Sequence, residues 1–331
     1  MITSADVARV AIETGFRSDM VEKVLRLHGI LDRLDNHEAT RAMWLLKGGT
    51  ALNLLHLDVP RLSVDIDINF VGSADVEELK RARPDFERAL AACCEREGCS
   101  VRRLPVEHAG GKLRLRYPSV LGGSQNLEVD VSYVARVPLW GVVRFPVRFP
   151  PGSTLQVPTL TIEELAAGKF AALVQRSAAR DTYDAACLLD LMPDLLARRE
   201  FRVAFVCSVA AARVDVRELE RPRPVMSEVE LTRDLEPLLR KGLAGGGTRA
   251  HDLAAWVCNR VPRAVDSALA WSVGERRFLD RLLDYGEIDP LALHDDPAVQ
   301  DRIRKQPMLV WKAAHVRAHK RGDGTTGPET R

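Results

Sequence analysis

The sequence predicts an α/β (α+β) fold, with a small mixed sheet and flanking helices in the first half and a mostly helical second half. The chain has 331 residues, more than one core usually holds, so two domains are expected. Four segments of the first half alternate apolar and polar residues, as half-buried strands do. From residue 161 onward, almost every segment has the apolar spacing of a helix.

The first 60 residues are predicted to be helical. Apolar residues recur there at helical spacing in two groups, which are Val21, Val24, Leu25 and Leu27 and then Met43, Leu45 and Leu46. Gly48-Gly49 interrupts this pattern. Thr50 is predicted to cap a short helix over residues 51–57, which ends before Pro60.

The sheet is predicted from the alternating segments, which are residues 62–71, 112–117, 126–134 and 142–149. A helix is predicted between the first two of them, over residues 76–94. The first half is therefore expected to combine one small sheet with helices beside it.

Four prolines crowd the stretch from 146 to 158, which is expected to be extended and irregular. The domain boundary is placed there. It gives a first domain over residues 1–155 and a helical domain over residues 156–321 that closes a cleft against it. Residues 322–331 are mostly polar and are predicted to form a disordered tail.

The charge, the cysteine spacing and the apolar stretches of the chain argue against a uniformly basic, a disulfide-rich or a membrane-spanning protein. The net charge of +2 gives no chain-wide signal for nucleic acid, so any basic surface must be local. The six cysteines have no Cys-x-x-Cys spacing, which favours core thiols in a reducing compartment. No basic segment followed by an apolar run begins the chain, and no stretch approaches the ~20 apolar residues that span a membrane. The sequence therefore predicts a cytoplasmic protein with no membrane partner.

Asp65-Ile66-Asp67-Ile68 is the most informative stretch of the sequence. On a strand, both carboxylates project from one face while Val64, Ile66 and Ile68 bury the other. Neighbouring carboxylates repel unless a cation lies between them, and hard oxygen ligands suit Mg²⁺. The alternative interpretation is an edge strand with an acidic outer face.

Gly48-Gly49-Thr50 ends 15 residues ahead of Asp65. Paired glycines admit a ligand close to the backbone, and the N-terminus of the following helix attracts phosphate. Lys47 precedes the glycines, so the order differs from that of a Walker A loop. The alternative is a simple turn between two helices.

Together these segments resemble the signature of the DNA-polymerase-β-like nucleotidyltransferases. In that family the glycine loop holds the triphosphate of an NTP, two aspartates bind catalytic metal ions, and a later strand supplies a third carboxylate. The resemblance implies a polymerase-β-like nucleotidyltransferase domain in which Asp65, Asp67 and Asp130 bind Mg²⁺. Asp130 is preferred because a valine flanks it on each side. Glu128 shares its face of the strand and remains a competitor.

Three motifs resemble one branch of that superfamily, the abortive-infection toxins of AbiEii/AbiGii type, which are the toxin halves of type IV toxin–antitoxin pairs. They are Leu-Lys-Gly-Gly-Thr-Ala-Leu at 46–52, Arg-Leu-Ser-Val-Asp-Ile-Asp at 61–67, and a Lys followed by Arg-Asp-Thr-Tyr-Asp within 169–184. The third motif implies that Lys169 and Arg180 bind the triphosphate and that Asp184 completes the pocket. The alternative is that Asp181 and Asp184 only form ion pairs with Arg180 and Arg176.

The resemblance also implies the function. A nucleotidyltransferase toxin of this branch would transfer nucleotides from an NTP to RNA, in particular to the 3′ hydroxyl of tRNA, and so block translation. Its partners would be NTP, Mg²⁺, tRNA and a cognate antitoxin protein. Two other functions stay open, which are nucleotidylation of a protein or small-molecule hydroxyl and non-catalytic binding of a partner protein.

Two residues near the motifs carry expectations of their own. Ser63 lies two positions before Asp65, so strand alternation puts both on one face, and phosphorylation at Ser63 is predicted to switch the enzyme off. The alternative is that Ser63 only hydrogen-bonds the neighbouring loop or Arg61. Replacing Lys169 by alanine is expected to weaken NTP binding more than it perturbs the fold.

The C-terminal stretch over residues 302–321 has seven Lys or Arg and no acidic residue. It is expected either to meet a phosphate backbone or to form a solvated helix with Val310, Trp311 and Ala314 packed inward.

Overall fold

A seven-stranded mixed sheet organises the first half of the protein. The computed structural model describes residues 2–103, 110–176, 178–218, 228–241 and 248–320. The strands are β1 (Trp44–Leu46), β2 (Ile66–Phe70), β3 (Ser100–Arg103), β4 (Gly110–Pro118), β5 (Ser124–Ser132), β6 (Val143–Pro146) and β7 (Gln156–Thr159). Their order is β3-β4-β5-β2-β1-β7-β6. The β2–β5 and β1–β7 pairs are parallel and the other neighbours antiparallel, so the predicted mixed α/β class is confirmed.

Helices precede the sheet, flank it and make up the second half. The first four are α1 (Ser4–Thr14), α2 (Ser18–Asn36), α3 (Gly48–Ala51) and α4 (Val76–Arg96). Those after β7 are α5 (Ile162–Gln175), α6 (Ala179–Leu191), α7 (Arg199–Ala210), α8 (Glu228–Glu230), α9 (Thr248–Ala268), α10 (Val273–Tyr285), α11 (Pro297–Arg304) and α12 (Pro307–Lys320). Helix α3 continues as a π-helix over Leu52–His56. The helical character predicted from residue 161 onward is confirmed for the described residues.

Helix α4 forms where the sequence predicts it, because its start and its apolar side are both well specified. The Asp75 carboxylate accepts hydrogen bonds from the backbone N–H groups of Glu77 and Glu78, both at 2.9 Å. Such a cap satisfies amides that have no partner inside the helix. Phe86 and Leu90 are completely buried on its inner side, and the helix packs against α2.

The helical interpretation of Met43, Leu45 and Leu46 is wrong for the two leucines, because residues Trp44–Leu46 form strand β1. This strand pairs with β2 on one side and with β7 on the other, so it is central in the sheet. All three of its residues are buried. A short apolar run with no polar alternation fits a central strand and a buried helix equally well, so periodicity alone does not distinguish them.

Other boundaries also differ from the prediction. The strand expected over residues 62–71 begins only at Ile66. Helix α3 begins at Gly48 and its N-cap is Lys47, so the prediction that Thr50 caps a helix was wrong. Strand β7 lies directly after the predicted boundary at residue 155, yet it pairs with β1 in the same sheet.

Three further predictions concern the cysteine thiols, membrane-spanning helices and the C-terminal residues 322–331. All six cysteines are free thiols, and four of them are buried. In the described part of the chain, no helix is both long and apolar enough to cross a bilayer. The predicted disordered tail, residues 322–331, lies outside the described residues.

Candidate active site

Two of the predicted carboxylates meet in the middle of the sheet. Strands β2 and β5 are parallel neighbours, and their register places Asp67 directly opposite Asp130. Adjacent strands lie about 4.8 Å apart, and residues in register point to the same face. The sequence alternation holds on both strands, because the residues flanking the two aspartates are completely buried, namely Ile66, Ile68, Val129 and Val131.

Glu128, the competing carboxylate, already has cationic partners. Its oxygens lie 2.9 Å from the ammonium of Lys112 and 3.5 Å from the guanidinium of Arg114, both on the exposed side of β4. Asp130 is therefore the β5 carboxylate beside Asp67, and Glu128 belongs to a surface ion-pair cluster.

The electrostatics of Asp67 favour a bound cation. Burial raises the pKa of the Asp67 carboxyl, and the charges of Asp130 and Asp65 raise it further, while Lys47 and Lys169 act in the opposite direction. A raised pKa means that the ionised form is unfavourable in the protein alone. A cation beside these carboxylates would relieve that repulsion.

The donor set fits magnesium. Mg²⁺ takes hard oxygen ligands and commonly binds through one or two carboxylates together with waters and substrate phosphates. Asp67 and Asp130 are such a pair. No group of three or more His, Cys, Asp or Glu in the described residues is arranged to hold a metal ion by itself, so waters or phosphate oxygens would complete the coordination.

Asp65 lies just before β2, at the edge of the carboxylate pair. Its side chain is 43% exposed, and its Oδ2 is 3.8 Å from a guanidinium nitrogen of Arg180 on α6. Burial raises the pKa of Asp65, and Glu128 acts in the same direction, while Arg180 opposes both. The structure thus brings together Asp65, Asp67, Asp130 and Arg180 from the set that the sequence predicted.

Gly48 allows Asp67 to take its position. A Cβ on Gly48 would collide with the Asp67 carboxylate, and the residue has a φ of +68°, a conformation that side chains with a Cβ rarely adopt. Gly49 is equally constrained, since a Cβ there would lie 2.9 Å from the Arg61 guanidinium. The paired glycines therefore admit protein side chains to this point.

Hydrogen bonds from Thr50 hold the segment that carries Ser63 and Asp65. The completely buried Thr50 hydroxyl donates a hydrogen bond to the Asp65 carbonyl and lies 2.9 Å from Ser63 Oγ. Ser63 is only 8% exposed. The segment 62–65 is not a strand, so the alternation argument that put Ser63 on the face of Asp65 does not hold. The hydrogen bond observed for Ser63 is with Thr50 on helix α3.

Asp184 is the centre of a buried polar network. Its carboxylate accepts two hydrogen bonds from the Arg61 guanidinium, at 2.8 and 2.7 Å, and one from Asn53 Nδ2 at 3.0 Å. The Lys169 ammonium lies 2.9 Å from Oδ2 of the same carboxylate. Burial alone would raise the pKa of Asp184, but Arg61 and Lys169 outweigh it and lower the pKa to about 2. The group is thus a fixed anion.

Lys169 belongs to this network and has two carboxylate partners. Its ammonium lies 2.7 Å from Asp181 and 2.9 Å from Asp184, and its side chain is 8% exposed. Arg176 approaches Asp181 from the solvent side at 3.2 Å. The ion-pair alternative for the third motif is therefore half correct, since Asp181 pairs with Arg176 whereas Asp184 pairs with Arg61 and Lys169.

Sequence reasoning missed three residues of this region. Arg61 and Lys47 lie inside the motifs, which by themselves give these two side chains no role in the site. Asn53 follows directly after the glycine motif. Asn53 lies one helical turn after Gly49, whose carbonyl accepts a second hydrogen bond from Asn53 Nδ2 at 2.9 Å. A polar amide among the apolar residues of 51–55 was the available signal for it, since buried polar groups need partners.

The inward packing expected for the C-terminal helix is wrong. Val310 and Trp311 on α12 are 47% and 52% exposed, whereas Leu309 and Ala313 are buried. Residue 321, at the end of the predicted basic stretch, lies outside the described residues.

Comparisons with known proteins identify the family. The model described as "Nucleotidyl transferase AbiEii toxin, Type IV TA system" matches residues 29–269. Among solved structures, the chain resembles MenT4, a nucleotidyltransferase toxin from Mycobacterium tuberculosis, with a TM-score of 0.57, 20% identity and coverage of 92% of this chain and 99% of that chain. That likeness concerns the fold alone. Comparison with curated proteins finds no match. Because the family match spans more than half of the sequence, the chain belongs to the AbiEii nucleotidyltransferase toxins of type IV toxin–antitoxin systems.

Proposed function

We propose that this nucleotidyltransferase toxin transfers a nucleotide from an NTP to the 3′ hydroxyl of an RNA, with tRNA as the acceptor, in a magnesium-dependent reaction that blocks translation. The observation that carries the proposal is the register of Asp67 against Asp130, with Asp65 at the edge of the same site. Three carboxylates that repel one another are suited to hold divalent cations and the phosphates bound to them.

The proposed reaction is an in-line displacement at phosphorus. The RNA 3′ oxygen forms a bond to the α-phosphorus of the NTP, the bond from that phosphorus to the bridging oxygen breaks, and pyrophosphate leaves. Asp65, Asp67 and Asp130 would hold a magnesium pair, which when bound would neutralise charge on the attacking and leaving oxygens. Asp130 is proposed to accept the hydroxyl proton as the acceptor is engaged.

The buried network is proposed to position the site. Asp184 connects α6 to Gly49 on α3 through Asn53, and to the segment before β2 through Arg61. Arg180 on the same helix faces Asp65. Lys169 stabilises Asp184 within this arrangement. The helix that carries the third motif is thereby held beside the carboxylates that would bind the metal ions.

The function is tested by incubating the protein with labelled NTPs and total tRNA, with and without magnesium. Label is expected on tRNA only when magnesium is present, and the Asp67→Asn variant is expected to give none. A family antitoxin, the partner implied by a type IV system, should suppress the labelling. Label on protein or on a small molecule but not on tRNA would instead favour the other nucleotidylation chemistry.

Regulation by phosphorylation at Ser63 is also proposed. The reason is now the burial of its hydroxyl rather than a position on the same face as Asp65. Its hydroxyl is buried against Thr50, so a phosphate of roughly −1.5 to −2 charge there would disrupt the segment that carries Asp65. Ser63→Glu is expected to lose transfer activity and Ser63→Ala to keep most of it. Intact-mass analysis of protein produced with and without its antitoxin detects the modification. Full activity of Ser63→Glu, with no mass increase, would contradict this switch.

A further inference from the structure

The buried network is balanced in charge. Arg61 and Lys169 supply two positive charges, and Asp181 and Asp184 supply two negative ones. The Lys169 ammonium is within 3 Å of both carboxylates. Moving it toward a phosphate would leave two buried anions with less compensation, which is costly in a low-dielectric interior. The exposed Arg176 is a third cation, 3.2 Å from Asp181, but a substrate phosphate would still have to compete with Asp181 and Asp184 for Lys169.

Most cations around the carboxylate pair are also engaged. Arg180 lies 3.8 Å from Asp65, and the Lys112 ammonium lies 2.9 Å from Glu128. Lys23 on α2 has no such partner among the described residues, but it acts on Asp65 more weakly than Arg180 or Lys112 does. None of these is a free cation at Asp67.

Lys47 is different. It lies immediately before Gly48, and its backbone N–H donates a 2.9 Å hydrogen bond to the carbonyl of Asp67. Its half-buried ammonium forms neither an ion pair nor a hydrogen bond with any residue that the structure describes. Among the neighbouring cations, Lys47 exerts the strongest influence on the Asp67 carboxylate. A positive charge with no side-chain partner among the described residues therefore acts on Asp67.

We infer that Lys47 is the side chain that contacts the triphosphate of the NTP. The inference rests on the proposed function, since it assumes that an NTP occupies the site of Asp67 and Asp130. Gly48 has no side chain, so the Asp67 carboxylate packs directly against the backbone that follows Lys47. The substrate phosphates and the carboxylates are both negative, and the positive charge of Lys47 would reduce the repulsion between them.

The chemistry of the contact sets its specificity. An ammonium acts on phosphate as a point charge with rotatable donors and does not read the base. Loss of Lys47 should therefore weaken the binding of all four NTPs to a similar degree. It should have a much smaller effect on a nucleoside monophosphate, which lacks the β- and γ-phosphates.

The test measures binding directly. An NTP analogue with a methylene bridge between the α- and β-phosphates is titrated in magnesium buffer into wild type, Lys47→Ala, Lys47→Arg and Lys80→Ala. Lys80 is a surface lysine paired with Glu77 and 62% exposed, so it serves as the matched loss of one charge. Lys47→Ala is expected to raise the dissociation constant about tenfold or more, Lys47→Arg to recover most of the affinity, and Lys80→Ala to match wild type.

Two results separate this inference from the proposed function. If wild type neither binds the analogue nor labels RNA, the function itself fails. If wild type does both and Lys47→Ala binds the analogue as tightly as wild type, only the role of Lys47 is overturned. The unfolding midpoint of Lys47→Ala, and of Lys47→Gln as a second variant, should fall only slightly, since Lys47 offsets part of the charge of Asp67. A marked loss of stability in both would make Lys47 a structural residue and would also overturn the inference.

Discussion

Replacing Asp67 by asparagine is expected to abolish nucleotide transfer while leaving the protein folded and slightly more stable. The substitution keeps the shape of the side chain but removes the charge that faces Asp130. Loss of one preorganised electrostatic contact to a transition state typically lowers kcat by about 100- to 1000-fold, and a metal ligand should cost at least as much. Steady-state transfer to RNA and chemical denaturation measure the two effects separately.

The stability gain of Asp67→Asn should depend on pH. Burial and the neighbouring carboxylates raise the pKa of Asp67 above its ordinary value of 3.8. The ionised group therefore destabilises the native state above its folded pKa, and this cost disappears below the pKa of the unfolded chain. Without metal ions, the variant should be more stable than wild type near neutral pH and equal to it below about pH 3.8.

Asp58→Asn is the matched control for that comparison, because the Asp58 side chain is 99% exposed. It should change neither activity nor stability at any pH. Normal magnesium-dependent turnover in Asp67→Asn would contradict the assignment of the metal site.

Asp184→Ala is expected to cause the largest loss of stability in the molecule. It removes the shared partner of Arg61 and Lys169 and leaves both cations buried without full compensation. Breaking a buried ion pair in this way costs about 3–5 kcal/mol of unfolding free energy. The lowered pKa, about 2, means that the stabilisation by Asp184 is complete above pH 3.8 and is lost as the pH falls through 2.

Asp190 on the same helix offers the control for this effect. Its side chain is 53% exposed and pairs with Arg260 at 3.3 Å, so Asp190→Ala should change the unfolding free energy by less than about 0.5 kcal/mol. Denaturant titrations of both variants give the comparison. Equal stabilities for Asp184→Ala and wild type would refute the structural role of the network.

Burial also changes what is expected of Lys169. The sequence-based expectation was that Lys169→Ala weakens NTP binding more than it perturbs the fold. Because its ammonium lies within 3 Å of Asp181 and Asp184, destabilisation should now dominate. Arg61 would still pair with Asp184 in that variant, so the loss should be smaller than for Asp184→Ala.

The sequence by itself determined the elements with local, repetitive signals. Alternation at period two identified the faces of β2 and β5, so Asp67 and Asp130 could be named from the chain alone. The apolar spacing predicted a helix over residues 76–94, which α4 confirms, and the structure adds the cap at Asp75. The order of three motifs pointed to the family, which the match over residues 29–269 confirms. The strand and helix signals, and each motif taken singly, lie within a short stretch of the chain.

The tertiary structure decided everything that depends on distant partners. Whether Trp44–Leu46 is strand or helix follows from β2 and β7 on either side of it. The choice of Asp130 over Glu128 follows from strand register and from the cations of β4. Asp184 meets Arg61, which is 123 residues away in sequence. Among the residues that the structure describes, Lys169 has two buried carboxylate partners and Lys47 has none, because charge balance in a buried cluster depends on which side chains the fold brings together.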